Sequence, residues 1–184
     1  MAEPIFPATW EIPTDYTFRK YRVGLKGSDF KVFDAYGNLL YLIQCRSFSM
    51  SPRRVVTLLD AADSPLITAA HLDEGWQGFK GYSWEPNDLL FTVQKLAYST
   101  FKTELEVLVS SENLRNEKQK FILKGSPFQR SCTIYMGDSI VAQANPLYKL
   151  KKFIYSRNKF RLTLYPGNDH PLALAMLVTF FGGN

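Results

Sequence analysis

Few side chains in this sequence could carry out catalysis, and they are scattered. The chain has two histidines, His71 and His170, and its two cysteines are Cys45 and Cys132. A Ser-His-Asp set is spatial rather than sequential and stays open at this level, but the chain contains no nucleophile elbow, P-loop or metalloprotease motif. The cysteines are not paired, so a zinc site would need four ligands from four distant places. The sequence therefore predicts no catalytic residue, no metal site and no cofactor.

A different chemistry, anion binding, is indicated by one run of basic residues. Between residues 149 and 161 six cations alternate with aromatic residues, and no acidic residue interrupts them. These cations are Lys149, Lys151, Lys152, Arg157, Lys159 and Arg161. Charge combined with aromatic rings suits anionic lipid or nucleic acid, of which nucleic acid is the less expected partner. The same spacing is also expected of an ordinary hairpin with aromatics inward and cations outward, and both interpretations stay open.

Composition places the chain among globular proteins of one domain. A length of 184 residues with 46% hydrophobic residues is enough to enclose a core, and 15% aromatic residues favours strands. The net charge of +5 permits an anionic partner without requiring one. Two cysteines are too few for a disulfide framework, and the proline-containing first 13 residues fit no signal or transit peptide. We expect an intracellular protein in the cytoplasm, with the plasma-membrane periphery and the nucleus as alternatives.

The pattern of short apolar runs predicts about twelve strands. The clearest hairpin signals are a Gly-Asn turn within residues 34–38 and a Gly-Asp turn at residues 137–138. Near the end, residues 151–155 and 160–165 read as two strands joined by the polar residues 156–159. Such spacing predicts an all-β barrel or sandwich.

One segment differs from all the others. Residues 171–181 are apolar on every face, with Asn168 or Asp169 as the helix N-cap and Gly182 at the end. A helix over about 169–181 would measure roughly 17–20 Å, which is too short for a ~30 Å bilayer core, so no membrane span is expected. A helix that is apolar all round must be enclosed by protein.

These two features together predict the fold. A closed antiparallel barrel of about twelve strands is wide enough to hold one helix ~10–12 Å across. We therefore predict residues 16–184 to be a single all-β domain wrapped around a buried C-terminal hydrophobic helix, after an extended lead-in over residues 1–15. A two-sheet sandwich with the helix plugging one end is the alternative.

Several short motifs, in order, resemble those of the LURP-one-related proteins. They are Phe33–Leu40, Trp76–Gly81, Asp88–Val93, Leu123–Cys132, Ile140–Gln143 and Phe160–Pro166. The resemblance covers nearly the whole chain from about Tyr16. It implies the tubby C-terminal-like fold, a twelve-stranded barrel around a central helix that is also assigned to phospholipid scramblases. The family consists mostly of plant proteins and is linked to defence against pathogens.

The resemblance also implies a lipid-binding stretch. Tubby proteins bind phosphatidylinositol bisphosphate through basic residues on a mid-barrel strand and the following loop. The corresponding stretch here is Leu89–Val109, in which only Lys95 and Lys102 are basic where the tubby pattern is densely so. Together with Lys149, Lys151, Lys152, Arg157 and Lys159 these are the candidate residues for anionic phospholipid headgroups.

Three functions follow as hypotheses. The first is a non-enzymatic adaptor or regulator that acts through its outer surface, with anionic membrane lipid or another protein as partner. The second is a carrier of a small lipophilic ligand in the barrel, which a helix in the lumen would leave without space. The third is an enzyme, for which the sequence shows no catalytic group.

Overall fold

The computed structural model describes residues 12–21, 29–49, 54–73, 75–98, 102–110, 118–149 and 154–182. Twelve antiparallel strands form a closed barrel in which each strand pairs with its neighbours in the sequence and the first pairs with the last. The strands are β1 Thr14–Tyr21, β2 Asp29–Phe33, β3 Leu39–Ser47, β4 Arg54–Asp60, β5 Pro65–Leu72, β6 Gly75–Lys80, β7 Leu89–Tyr98, β8 Thr103–Val109, β9 Gln119–Ser126, β10 Ser131–Met136, β11 Ser139–Lys149 and β12 Ile154–Leu164. A 3₁₀ turn at Pro86–Asp88 precedes β7, and helix α1 spans His170–Gly182. The barrel and its terminal helix confirm the predicted fold class.

Helix α1 fills the barrel because its sequence gives it no polar face. The nine consecutive residues Ala173–Phe181 are all buried, which requires contacts on every side of the helix. Fully burying a side chain such as Leu174 or Leu177 contributes about 1.5–3 kcal/mol before conformational entropy is subtracted. The inward positions of the strands supply the surrounding wall, with Phe18, Phe91 and Phe160 at 0–1% exposure.

The helix begins at a side-chain cap. Oδ1 of Asp169 accepts a hydrogen bond from the backbone N–H of Leu172 at 2.8 Å, which satisfies a donor that has no partner within the helix. Asn168, the other predicted cap, instead donates its side-chain amide to the carbonyl oxygens of Tyr165 and Pro166. Of the two candidates, Asp169 is therefore the N-cap.

Both predicted hairpin turns are present. Asp34 accepts hydrogen bonds from the backbone N–H groups of Tyr36 and Asn38, while Gly37 takes a φ of +89°. Gly137 takes a φ of +59° between β10 and β11. These left-handed conformations are the ones that glycine adopts at least cost.

The predicted break at residues 156–159 was wrong. Strand β12 runs unbroken from Ile154 to Leu164, and Lys159 pairs with Arg19 of β1. The polar stretch resembles a connection, but in a barrel alternate residues face water. Lys159 is accordingly exposed while Phe160 is buried. The predicted strand at 151–153 and the lead-in at 1–11 lie outside the described residues.

Candidate functional site

The two ends of the barrel differ in charge. Because successive strands are antiparallel neighbours, the connections alternate between the ends. We call the end at which α1 begins the acidic mouth; its described connecting residues include six acids and one cation. The acids are Asp34, Asp63, Glu85, Asp88, Asp138 and Asp169, and the cation is Lys118.

The other end, where α1 finishes, we call the basic mouth. Its defining residues are Lys20, Arg46, Arg54, Lys95, Lys102 and Arg130, each within three residues of a strand end on this side, and its described connections also hold one acid, Asp73. Along a strand, every second residue faces the core. In four of the six cases the cation occupies the next such position beyond the buried residues, where the barrel opens. These four series are Tyr16-Phe18-Lys20, Leu58-Val56-Arg54, Phe91-Val93-Lys95 and Ile134-Cys132-Arg130.

A cavity of about 300 Å³ opens at the basic mouth. Four cations line it, namely Lys20, Arg46, Arg54 and Arg130, and no acidic residue is among its described lining residues. The apolar part of the lining comes from the last turn of α1 and from the wall, including Phe30, Trp76, Val178 and Phe181. The cavity therefore combines an apolar floor with a cationic rim.

Two of the arginines rest on the last turn of α1. Arg54 donates a hydrogen bond from Nη1 to the carbonyl oxygen of Gly182, and such carbonyls at a helix end otherwise lack partners. The guanidinium carbon of Arg130 lies 5.1 Å from the ring centre of Phe181 and 5.8 Å from that of Phe30. Contacts at these distances are cation–π interactions, and they hold the guanidinium beside the cavity.

The third arginine forms an ion pair with a buried carboxylate. Nη1 of Arg46 lies 3.0 Å from Oδ1 of Asp29, whose side chain is only 2% exposed. The same oxygen accepts the backbone N–H of Cys45 at 2.9 Å. Asp29 is therefore a negative charge paired with one of the four cations that line the cavity.

A smaller cavity of about 90 Å³ adjoins the first. Trp76 lines both, and Lys95, Thr103 and Phe180 line only the second. Thr103 Oγ1 is buried and has no hydrogen-bond partner among the described residues. The indole of Trp76 meets the His71 ring edge-on, with ring centres 5.4 Å apart, so aromatic packing forms the wall between the cavities.

The residues predicted from the sequence are only partly brought together. Lys95 and Lys102 are exposed at the basic mouth, and Lys149 ends β11 at the same mouth. Lys159 is on the outer wall of β12 and Arg157 is on the same strand; Lys151 and Lys152 lie outside the described residues. The sequence prediction did not include Lys20, Arg46, Arg54 and Arg130, although the inward alternation of β1, β4 and β10 marks three of them.

The histidines and cysteines are engaged in packing. Nδ1 of His170 lies 2.7 Å from the hydroxyl of Tyr16. Burial raises the pKa of the Cys45 thiol to about 12, and burial also raises the pKa of Cys132. Raised values disfavour the thiolate that nucleophilic chemistry needs. No group of three or more His, Cys, Asp or Glu within the described ranges is arranged to hold a metal ion.

Comparison with known proteins assigns the chain to a family. The sequence profile described as LURP-one-related matches residues 14–181. The chain belongs to the LURP-one-related family. It is 38% identical to Protein LURP-one-related 7 of Arabidopsis thaliana over 174 residues, covering 94% of this chain and 91% of that protein. Protein LURP-one-related 15 from the same plant is 30% identical, with 90% and 78% covered.

A solved structure also supports the architecture. The X-ray structure of a protein from Arabidopsis thaliana aligns with a TM-score of 0.63 at 29% identity, covering 93% of this chain and 90% of that one. Among the described residues no helix has the length and apolar character needed to cross a membrane. The resemblance predicted from short motifs is therefore confirmed at the level of the family.

Proposed function

We propose that this LURP-one-related protein is a non-enzymatic binding protein that docks through its basic mouth onto membranes containing anionic phospholipid. Its role would be that of an adaptor or regulator, as the family's association with plant defence implies. The observation that carries the proposal is the convergence of Lys20, Arg54, Lys95, Lys102 and Arg130 at one end of the barrel. Six acids lie in the described connections at the opposite end against one, Asp73, at the basic mouth, so an anionic surface would orient the molecule.

Two exposed aromatic side chains lie among the cations of the basic mouth. Phe48 follows β3 and Phe128 follows β9, both at the basic mouth, and each is 54% exposed. Aromatic side chains among cations favour the interfacial region of an anionic membrane, where rings enter the headgroup layer while the charges attract phosphates. Lys149 ends a strand at this mouth, and Lys151 and Lys152 follow it in the sequence.

A flotation assay with matched charge variants tests the proposal. Wild-type protein is mixed with neutral phosphatidylcholine vesicles and with vesicles that also contain phosphatidylserine or a phosphoinositide, at low and high salt. We expect binding only to the anionic vesicles and a steep loss with salt, because exposed charges are screened within about 10 Å at 0.1 M.

Two double variants separate the basic mouth from overall charge. Lys95→Glu with Lys102→Glu reverses two exposed lysines at the basic mouth, and Lys80→Glu with Lys118→Glu reverses two exposed lysines at the other end. Loss of about 1 kcal/mol of attraction per lysine corresponds to about 30-fold for the pair, and the repulsion of the new glutamates adds to it, so the first variant is expected to bind at least about 30-fold more weakly. An equal loss in both variants, or undiminished binding by the first, would contradict docking through this mouth.

A further inference from the structure

The cavity at the basic mouth has the features of a site for one small anion rather than a general cationic surface. Its four cations come from β1, β3, the start of β4 and the turn before β10, and its floor is the last turn of α1. We infer that it binds a phosphate monoester, with the phosphate among Lys20, Arg46, Arg54 and Arg130 and a short apolar portion against Trp76 and Phe181. This inference rests on the proposed function in one respect only: both take the basic mouth as the surface that binds the ligand.

The cationic lining of the cavity suits a phosphate dianion. Its described lining residues include four cations and no acid, and Asp29, which is not among them, pairs with Arg46. Three of the four are guanidinium groups, whose planar N–H donors match phosphate oxygens in pairs. A carboxylate offers two oxygens and one charge, so a phosphate monoester uses more of the donors.

The end of α1 opposes anion binding, and the structure compensates for it. The C-terminus of a helix carries roughly half a negative charge from its carbonyl groups. Arg54 donates to the carbonyl oxygen of Gly182, which places a full positive charge against that partial negative one. The helix end therefore holds a cation at the cavity instead of repelling the ligand.

The volume limits the size of the ligand. About 300 Å³ is at the lower end of ligand pockets and corresponds to roughly ten heavy atoms, at ~30 Å³ each. A phosphate with a ring or a glycerol unit has that size, whereas a whole lipid with its acyl chains does not. The phosphate belongs either to a soluble compound or to the headgroup of a lipid whose chains stay in the membrane, and the experiments below separate these two sources.

Calorimetric titration with phenyl phosphate tests the site directly. We expect one molecule to bind per chain in the millimolar range or tighter, as suits a ligand of this size, with inorganic phosphate weaker because it lacks the ring. Phenol and benzoate are the controls for the ring without charge and for a carboxylate. Absence of saturable phenyl phosphate binding, or benzoate binding as tight, would overturn the assignment.

Variants locate the site within the molecule. Lys20→Gln and Arg130→Gln should each weaken phenyl phosphate binding by at least about tenfold, because each removes a charge-assisted contact, and Lys80→Gln at the opposite mouth should not. Thermal unfolding of each variant confirms that it is folded. Two separate substitutions are tested so that the site can still be assessed if one variant does not fold. Equal weakening by Lys80→Gln would overturn the site.

Vesicle flotation then separates the sources and the two proposals. If a lipid headgroup is the ligand, wild type should prefer phosphatidic acid over phosphatidylserine vesicles of equal charge, and Arg130→Gln should lose that preference. If a soluble compound is the ligand, phenyl phosphate binds but no such preference exists. Phenyl phosphate binding without vesicle binding refutes membrane docking alone, and vesicle binding without phenyl phosphate binding refutes the cavity site alone.

Discussion

The hydroxyl of Tyr16 lies 2.7 Å from Nδ1 of His170, which joins the first strand of the barrel to the first residue of α1. Tyr16 is 3% exposed, and its ring meets the imidazole edge-on at 5.8 Å. The contact fixes the start of the helix against the wall that surrounds it. It links residues 154 positions apart in the chain, so it forms only when the barrel has closed around α1.

Removing this hydroxyl should therefore destabilise the fold. Tyr16→Phe keeps the ring but leaves the imidazole nitrogen without its partner, and we expect a loss of about 0.5–1.5 kcal/mol in the free energy of unfolding. Urea unfolding followed by circular dichroism measures the change. Tyr36→Phe is the matched control, because Tyr36 is 92% exposed; similar losses in both variants would show that the bond to His170 contributes nothing.

Substitution by valine should have opposite effects on stability at Thr103 and Thr68. Thr103 Oγ1 is buried without a hydrogen-bond partner among the described residues, whereas Thr68 Oγ1 donates to the carbonyl oxygen of Gly81 at 2.6 Å. Valine has nearly the same shape without the hydroxyl. Thr103→Val should leave stability unchanged or raise it by about 1 kcal/mol, and Thr68→Val should lower it by about 1–3 kcal/mol. Thermal unfolding of the two variants side by side checks this, and a loss in Thr103→Val as large as in Thr68→Val would contradict it.

Features encoded locally could be predicted from the sequence. Helix α1 was identified from its uninterrupted apolar residues, and the turn at residues 34–38 from its Gly-Asn pair, because each depends on neighbours in the chain. The barrel followed because an all-apolar helix must be enclosed and the remaining segments were strands. Strand β12 was split wrongly because residues 156–159 have the composition of a loop.

The basic mouth could be predicted only in part, because closure of the barrel creates it. Lys20, Arg54 and Arg130 are far apart in the sequence. They converge because their strands end at the same side of a closed sheet. The alternation of inward and outward residues along each strand is the feature of the sequence from which these cations could have been predicted. A cation at the next inward position after Tyr16 and Phe18 must lie where the core ends.

Alkaline pH should weaken the fold through the buried thiols. Burial raises the pKa of Cys45 from 9.0 to about 12 and also raises that of Cys132. Above pH 9 the unfolded chain loses these protons while the folded chain keeps them, so stability is complete below pH 9 and falls as pH rises toward 12. The slope is at most about 1.4 kcal/mol per pH unit for each thiol.

Burial also raises the pKa of Tyr16, which adds to the loss above pH 10. Urea unfolding at intervals between pH 7 and 10.5 measures the slope. Cys45→Ala and Cys132→Ala each remove one thiol and should each flatten the profile, whatever they cost in stability at pH 7. An unchanged slope in both variants would show that the thiols do not cause the pH dependence.

The buried carboxylate of Asp29 gives the last prediction, because it pairs with Arg46, one of the cations that line the cavity. It accepts the backbone N–H of Cys45 and pairs with Arg46. Asp29→Asn keeps an oxygen for the N–H of Cys45 but removes one negative charge beside the cationic lining of the cavity. For charges roughly 10 Å apart at an effective dielectric constant of about 20, screened by salt, the gain is about 1 kcal/mol, or about fivefold tighter phenyl phosphate binding.

This variant should also be less stable, since Arg46 loses its ionic partner, so binding and stability should move in opposite directions. Calorimetric titration and urea unfolding of the same preparation measure both. Asp138→Asn is the control, because Asp138 is exposed at the acidic mouth and its loss changes the net charge equally. If both variants tightened phosphate binding alike, the gain would reflect total charge, and Asp29 would have no special relation to the cavity.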